Sequence, residues 1–265
     1  MNKYFQVLKN TFEEYFVYRL NFFLWRVRSF ALLLSLFFFW SALFSGRENL
    51  FGYQKSQILT YTLGIAVLRG IVLGNRSGDL AGVIRSGEAA NMLLRPLGFF
   101  KYWFTRDLAD KALNALFIIF EFWLLIALFK PPILIQTDPI YLVGFFIFCL
   151  LALILFFIIN MIFGMSGFWL IDVWSVRFLF MAIFLEFLSG AFFPLDVLPP
   201  IFLKVLQFTP FPYLVYFPLK IWLGQAQSSQ MILGLLVTGF WAVVFYWLLK
   251  NIWKKGLKAY DVPGR

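Results

Sequence analysis

The sequence predicts an all-α integral membrane protein with six transmembrane helices. An N-terminal interfacial amphipathic helix and a re-entrant helical segment between spans five and six complete the expected architecture. Three observations carry this reading. Of the 265 residues, 62% are hydrophobic, the mean hydropathy is +0.83 and Phe alone occurs 37 times. A water-soluble domain of this size has no room to hide that much apolar surface, so lipid must solvate most of it. The apolar residues fall in six long stretches. The positive charge gathers on alternate connections: 17 of the 23 Lys and Arg residues fall on the N-terminal segment, the second and fourth connections and the C-terminal tail, and five on the opposite connections. Lys and Arg retain short loops in the cytoplasm, so both termini are expected on the cytoplasmic side of the cell membrane, plasma or inner. An even number of spans requires the same.

Residues 1–28 read as an amphipathic helix. Phe5, Leu8, Phe12, Tyr15 or Phe16, and Leu20 recur at helical spacing, and Lys3, Gln6, Lys9, Asn10 and Glu13 fill the other side. The run is too charged to span and too apolar to be free in water, so it is expected in the interface plane. It lacks the short apolar core and small-residue cleavage site of a secretory signal. The first span is expected over 29–45, followed by the polar turn Gly46-Arg-Glu-Asn. The second covers 57–74 and contains Arg69. A polar stretch, 75–111, leads to the third span, 112–129, which carries Glu121 and ends at Lys130-Pro-Pro. The fourth covers 140–163; Gly164-Met-Ser-Gly then breaks the pattern before a turn near Asp172. The fifth, 176–192, carries Glu186. Residues 193–223 are apolar but hold six prolines, too many for one straight helix. Short helices that dip into the membrane and return fit better, packed against protein or lining a wet cavity. The sixth span, 231–249, is expected to run on as an amphipathic tail with Trp253, Leu257 and Tyr260 on one face. No internal repeat is present, and the chain reads as one membrane domain.

Composition narrows the chemistry. The net charge of +10 flanks hydrophobic spans, which is the signature of membrane orientation rather than of nucleic-acid binding. Cys149 is the lone cysteine, so no intrachain disulfide forms. There is no His, which removes the commonest general base and metal ligand. Glu13 and Glu14 with Arg19 echo the paired glutamate of intramembrane metalloproteases, but without histidines they read as a charged helix face. No Gly-Lys-Ser or Gly-Lys-Thr occurs, so the chain has no phosphate-cradling loop. No enzymatic activity, metal or cofactor is therefore expected of this chain. Any ATP and Mg would belong to a partner.

Arg69, Glu121 and Glu186 are the ionisable residues deepest in the spans. Charge at bilayer depth costs about 2.5–3.5 kcal/mol per residue on insertion scales, so such residues pair or face a polar cavity. Arg69 lies near the cytoplasmic end of its span and can snorkel. Glu121 cannot, and Arg69 is its expected partner. On the cytoplasmic side, Leu80, Val83, Ile84 and Gly87 fall at i, i+3, i+4 and i+7, with Asp79, Arg85 and Glu88 pointing elsewhere. This describes a short amphipathic helix whose apolar stripe is expected either to seat in a groove of another protein or to rest on lipid headgroups.

The order of these features resembles the membrane subunit of ABC-type exporters of the ABC-2 superfamily. The closest local match is Ser189-Gly-Ala-Phe-Phe-Pro-Leu-Asp-Val-Leu-Pro-Pro, followed by Phe208-Thr-Pro-Phe-Pro-Tyr and Pro218. Met92-Leu-Leu-Arg-Pro-Leu resembles the subgroup of short permeases with separately encoded ATPases. The resemblance implies two membrane subunits, identical or homologous, working with two ATPase subunits. It implies that 75–111 docks on the ATPase through a coupling helix, with Asp79, Leu80, Val83, Ile84, Arg85 and Glu88 as candidates. It also implies that 193–223 forms re-entrant helices capping the outer side of the pathway, with Phe193, Pro194, Leu198, Pro199, Phe211 and Pro212 as candidates. The competing class is an ion-gradient-driven transporter or lipid scramblase using Glu121 and Glu186. Six spans without a repeat argue against the first.

Overall fold

A computed structural model describes residues 3–170 and 173–260, most of them helical. The expected turn near Asp172 and the basic residue Arg265 lie outside the described residues. Helix α1 (Lys3–Val17) and α2 (Arg19–Leu43) are separated by Tyr18 alone. After a small hairpin, β1 (Asn49–Leu50) with β2 (Tyr53–Gln54), comes α3 (Lys55–Leu68), which continues as a π-helical turn over Arg69–Leu73. The short helices α4 (Leu80–Arg85) and α5 (Glu88–Leu93) precede the long α6 (Phe99–Phe129) and α7 (Pro139–Met165). Then come α8 (Val173–Leu179), a second π-helical turn over Phe180–Leu185, and α9 (Glu186–Leu188). Last are α10 (Pro200–Leu206), α11 (Tyr216–Trp222) and α12 (Ser228–Lys258).

Local chemistry sets several of these boundaries. Lys130 takes the left-handed conformation (φ +42°) that ends α6, and the two prolines after it cannot continue a helix. Asp138 starts α7 by accepting from the Ile140 amide at 2.8 Å, with Pro139 in the first turn where no amide is missed. Gln54 and Gln57 cap α3 reciprocally, and Gln227 and Gln230 do the same for α12.

Among the described residues, five helical units are long and apolar enough to cross a bilayer: Arg19–Leu43, Lys55–Leu73, Pro139–Phe168 and the two 31-residue helices Phe99–Phe129 and Ser228–Lys258. At 1.5 Å per residue each of the last two reaches about 46 Å, so each projects well beyond a hydrocarbon layer of about 30 Å. The helical unit from Val173 to Leu188 is shorter, about 24 Å by the same rise, and ends at a turn where Gly190 adopts φ +80°. That turn is not level with the N-terminal end of α3. The Tyr61 hydroxyl donates to the Gly190 carbonyl at 2.8 Å and Arg69 donates to the Ala191 carbonyl at 3.1 Å, so it sits beside the middle of the continuous unit Lys55–Leu73.

Helix α7 is the axis of the bundle. It packs against α12 and α11, while α2 lies on α3 and α1 lies along α6. One apolar core joins α2, α3, α6, α7 and α11 around Tyr61, Leu125, Phe148 and Leu155. A second, at the other end of α7, joins Leu80, Ile84, Trp103, Met161, Met165 and Leu249. Close approach in both depends on glycine. A Cβ on Gly234 would fall 2.9 Å from the Tyr213 ring, and one on Gly167 would fall 2.7 Å from the Ala81 carbonyl. The outward faces of α2, α6, α7 and α12 are Phe, Trp, Ile, Val and Leu, the surface that hydrocarbon solvates.

The first break differs from the expected one. The sequence places the end of the interfacial helix near residue 28, whereas the chain breaks at Tyr18, so 19–28 belong to the same helix as the first span. The face of α1 against α6 is also not the Phe face. Val7 and Thr11 are buried there, while Phe5 and Phe16 point outward.

Candidate functional site

A polar stripe on α6 organises one side of the bundle. Asp107, Asp110, Lys111, Asn114 and Glu121 recur at three- and four-residue spacing, with Ile118 completing the row, and in a helix that spacing aligns side chains on one face. Partners from other elements satisfy every member. On α2, Arg26 sets Nε 3.0 Å and Nη2 2.5 Å from Glu121 Oε1, and its Nη1 donates to Asn114 Oδ1 at 2.9 Å. Asn114 donates to Asp110 Oδ2 at 3.0 Å, and Asp110 Oδ1 accepts from the Tyr15 hydroxyl of α1. Burial, and then the Asp110 charge, push the Tyr15 phenol above its ordinary pKa. Gly70 makes room for Ile118: a Cβ there would fall 2.4 Å from Ile118 Cδ1.

The lower part of the stripe grips the segment between α3 and α6. Asp107 Oδ1 accepts from the amides of Arg76 (2.6 Å) and Ser77 (2.7 Å), and Oδ2 accepts from the Ser77 hydroxyl (2.9 Å). Lys111 donates to the carbonyls of Val72 (3.2 Å) and Gly74, which the π turn leaves without helical partners. Arg177 of α8 donates to the Gly78 carbonyl and to Asn75 Oδ1, both at 3.0 Å. Glu14 of α1 pairs with Arg76 (3.5 Å) and Arg106. At the far end of the segment Lys3 donates to the Pro96 carbonyl at 2.6 Å. Three helices, α1, α6 and α8, thus hold a segment whose own helices are six residues each.

Within that segment the expected apolar stripe is not a free surface. Leu80 (0% exposed) and Ile84 (1%) are buried against α7, with Leu80 in contact with Gly164. Val83 is half-buried, while Asp79, Arg85 and Glu88 are exposed. The outward surface is mostly polar, Gly82, Arg85, Ser86, Glu88 and Asn91, with Leu93 (41% exposed) and Leu94 (84%) as apolar projections. Sequence periodicity identifies a buried stripe correctly but cannot say whether its groove belongs to another chain or to this one. Here α7 and α12 supply it.

The third cluster joins α3 to the proline-rich segment. Arg69 pairs with Glu186 at 3.0 Å, stacks over Phe192 at 4.9 Å and donates to the Ala191 carbonyl. The pair is half-exposed, 21% and 32%, and lies between the two π turns. Above it, Asp196 accepts from the hydroxyls of Tyr53 and Tyr216, each at 2.6 Å, and from Lys220 at 3.3 Å. Burial, and then the Asp196 charge, hold the Tyr53 phenol well above its ordinary pKa. Pro194 and Pro212 are buried around this node, Phe193 meets Phe187 edge-on at 5.3 Å, and Phe211 lies 6.2 Å from Phe180. Leu198 is half-buried and Pro199 exposed.

The three intramembrane charges are therefore paired, but not as the sequence suggests. Glu121 belongs to Arg26, and Arg69 belongs to Glu186. Arg26 escapes sequence reading because it is assigned to the interfacial helix, whereas the break at Tyr18 puts it in the same helix as the first span, within reach of Glu121. Asp107, Asp110, Lys111 and Asn114 escape for a similar reason: they straddle the end of the expected third span. Their helical spacing toward Glu121 is the signal that finds them. Asp196 lies within the quoted proline motif, but nothing local marks it as the acceptor for two tyrosines.

A family model described as ABC-2 family transporter protein matches residues 30–264, and the chain belongs to that family. No curated protein matches the chain significantly.

Proposed function

We propose that this chain is the membrane subunit of an ATP-driven exporter. Two membrane subunits, identical or homologous, form the pathway between them, and separate cytoplasmic ATPase chains, which carry the ATP and Mg, drive it. Membership of the ABC-2 family carries this reading. The clamped segment from Asn75 to Gly98 supports it. A lever must be stiff to transmit force, and this segment is fixed to α1, α6 and α8 by the Asp107, Lys111, Arg177 and Glu14 contacts.

In this reading the chain crosses the membrane six times with both termini cytoplasmic. The sixth crossing is made by the short unit from Val173 to Leu188 together with the proline-rich pieces that follow. The position of Gly190 beside the middle of α3 favours a re-entrant segment, and the Asp196 node closes it as an outer cap. ATPase contact falls on the exposed residues Asp79, Arg85 and Glu88, with Leu80, Val83 and Ile84 shaping the helix from beneath. ATP binding on the partners favours one arrangement of the two membrane subunits over the other, and that difference in affinity is what moves them. Glu121, locked by Arg26 in the interior, is poorly placed to load and release ions, which disfavours a gradient-driven transporter.

The experiment is co-purification. The chain, tagged and extracted with its native partners, should bring down an ATPase subunit, and the complex should hydrolyse ATP. The purified chain alone should not. ATP hydrolysis by this polypeptide by itself, or its isolation as a functional transporter without an ATPase, overturns the reading.

A further inference from the structure

Between α1, α6 and α7 lies an open groove of about 420 Å³, lined by Tyr4, Phe100, Lys101, Phe104, Thr105 and Phe157. That volume is in the range of ligand sites, about 300–1,000 Å³. None of the contacts described above fills it. Its walls are aromatic: Phe104 meets Phe157 edge-on at 5.2 Å, and Phe100 is backed by Trp253 at 5.5 Å. Its charge is confined to one end. Lys101 lies in the first turn of α6, and Phe104 and Thr105 lie one turn deeper. Phe157 projects from α7 eight residues before that helix ends, on the apolar side of the groove.

The neighbouring cations are committed elsewhere. Lys3 donates to the Pro96 carbonyl, and Arg106 is tied to Glu14. Lys101 is exposed and, among the described residues, has no carboxylate within 4.0 Å. The groove thus has an unpaired cation at its polar end and edge-to-face rings at its apolar end, and it opens at the edge of the membrane-spanning bundle. That polarity matches an amphiphile with an anionic head.

We propose that this groove holds one acyl chain of an anionic phospholipid of the surrounding leaflet, with the Lys101 ammonium against its phosphate. The site has a structural consequence. Tyr4, one wall of the groove, also accepts from the Gly98 amide at 3.4 Å, beside the Lys3–Pro96 contact. A bound lipid braces α1 against α6 where the clamped segment rejoins the bundle.

The test uses the full chain reconstituted in phosphatidylcholine nanodiscs. A minor fraction of the lipid is phosphatidylglycerol carrying a photoactivatable diazirine on one acyl chain. After illumination, labelled peptides are mapped by mass spectrometry. The expected result is labelling at Phe104 and Phe157 several-fold above that given by photoactivatable phosphatidylcholine. Lys101→Glu should reduce it to the phosphatidylcholine level while leaving the melting temperature unchanged, because Lys101 packs nothing into either core. Lys101→Arg should retain it. Equal labelling by the two lipids would mean annular lipid only and would overturn the proposal. So would labelling indifferent to Lys101→Glu, or labelling confined to residues outside the groove. No ATPase or transported molecule is needed, so failure here is distinct from failure of the transporter reading.

Discussion

Arg26 on α2 holds Glu121 on α6, with two guanidinium nitrogens 3.0 and 2.5 Å from the same carboxylate oxygen. Both side chains are 10% exposed. Each charge would be costly at this depth alone, and each relieves the other's desolvation. Removing one partner of a buried pair typically costs about 3–5 kcal/mol, whereas removing both leaves no orphan charge. Arg26→Met and Glu121→Gln should therefore each lower the melting temperature in detergent sharply, and the double variant should recover much of the loss. Glu121→Gln combined with Arg69→Gln should be additive, since Arg69 answers to Glu186. Additivity of the Arg26 and Glu121 changes would show that the pair is not coupled.

Ile84 and Arg85 are adjacent in sequence and opposite in consequence. Ile84→Asp would place an unpaired carboxylate in the core formed with Trp103, Met161 and Leu249, a change that costs several kcal/mol. The expected outcome is loss of folded protein in size-exclusion chromatography. Arg85→Glu alters only the exposed face, so folding should survive while capture of the ATPase weakens. Normal ATPase capture by Arg85→Glu combined with Glu88→Lys would move the docking surface elsewhere.

Asp196 is the acceptor that ties Tyr53 and Tyr216 together across the proline-rich segment. Asp196→Ala should cost about 1.5–3 kcal/mol per charged hydrogen bond lost and should raise amide exchange over residues 190–197. The same node predicts an alkaline weakness. The Tyr53 phenol titrates above its unfolded value of about 10, so the native state favours its protonated form. Its contribution is complete below that value and is lost as the pH rises toward the folded pKa. Melting temperatures measured into the alkaline range should fall more steeply for the native chain than for Tyr53→Phe. Identical slopes would remove Tyr53 from the account.

Orientation is testable with single cysteines once Cys149 is replaced by Ala. Asn49→Cys, Thr137→Cys and Ser228→Cys, all at exposed positions, should react with an impermeant maleimide from outside intact cells. Ser86→Cys and Lys258→Cys should react only after permeabilisation. Outside labelling at Ser86 would invert the topology.

Phe-rich stretches, proline punctuation and the charge asymmetry are local quantities, and they mark this chain as a helical membrane protein; the ABC-2 type rests on the resemblance of its motifs and on the family match. The reach of α12 to Lys258 and the stop at Lys130 were legible for the same reason: each depends on residues within a few turns. Partners were not legible. Which carboxylate meets Arg26, and whether Leu80 and Ile84 face α7 or another chain, depend on how helices far apart in sequence come together. A one-residue break at Tyr18, rather than near residue 28, lengthens α2 and carries Arg26 to Glu121. Hydrophobic periodicity reports that a face is buried; only tertiary packing decides against what, because an apolar surface is satisfied by any apolar partner, whereas a charge at bilayer depth is satisfied only by the particular side chain that reaches it.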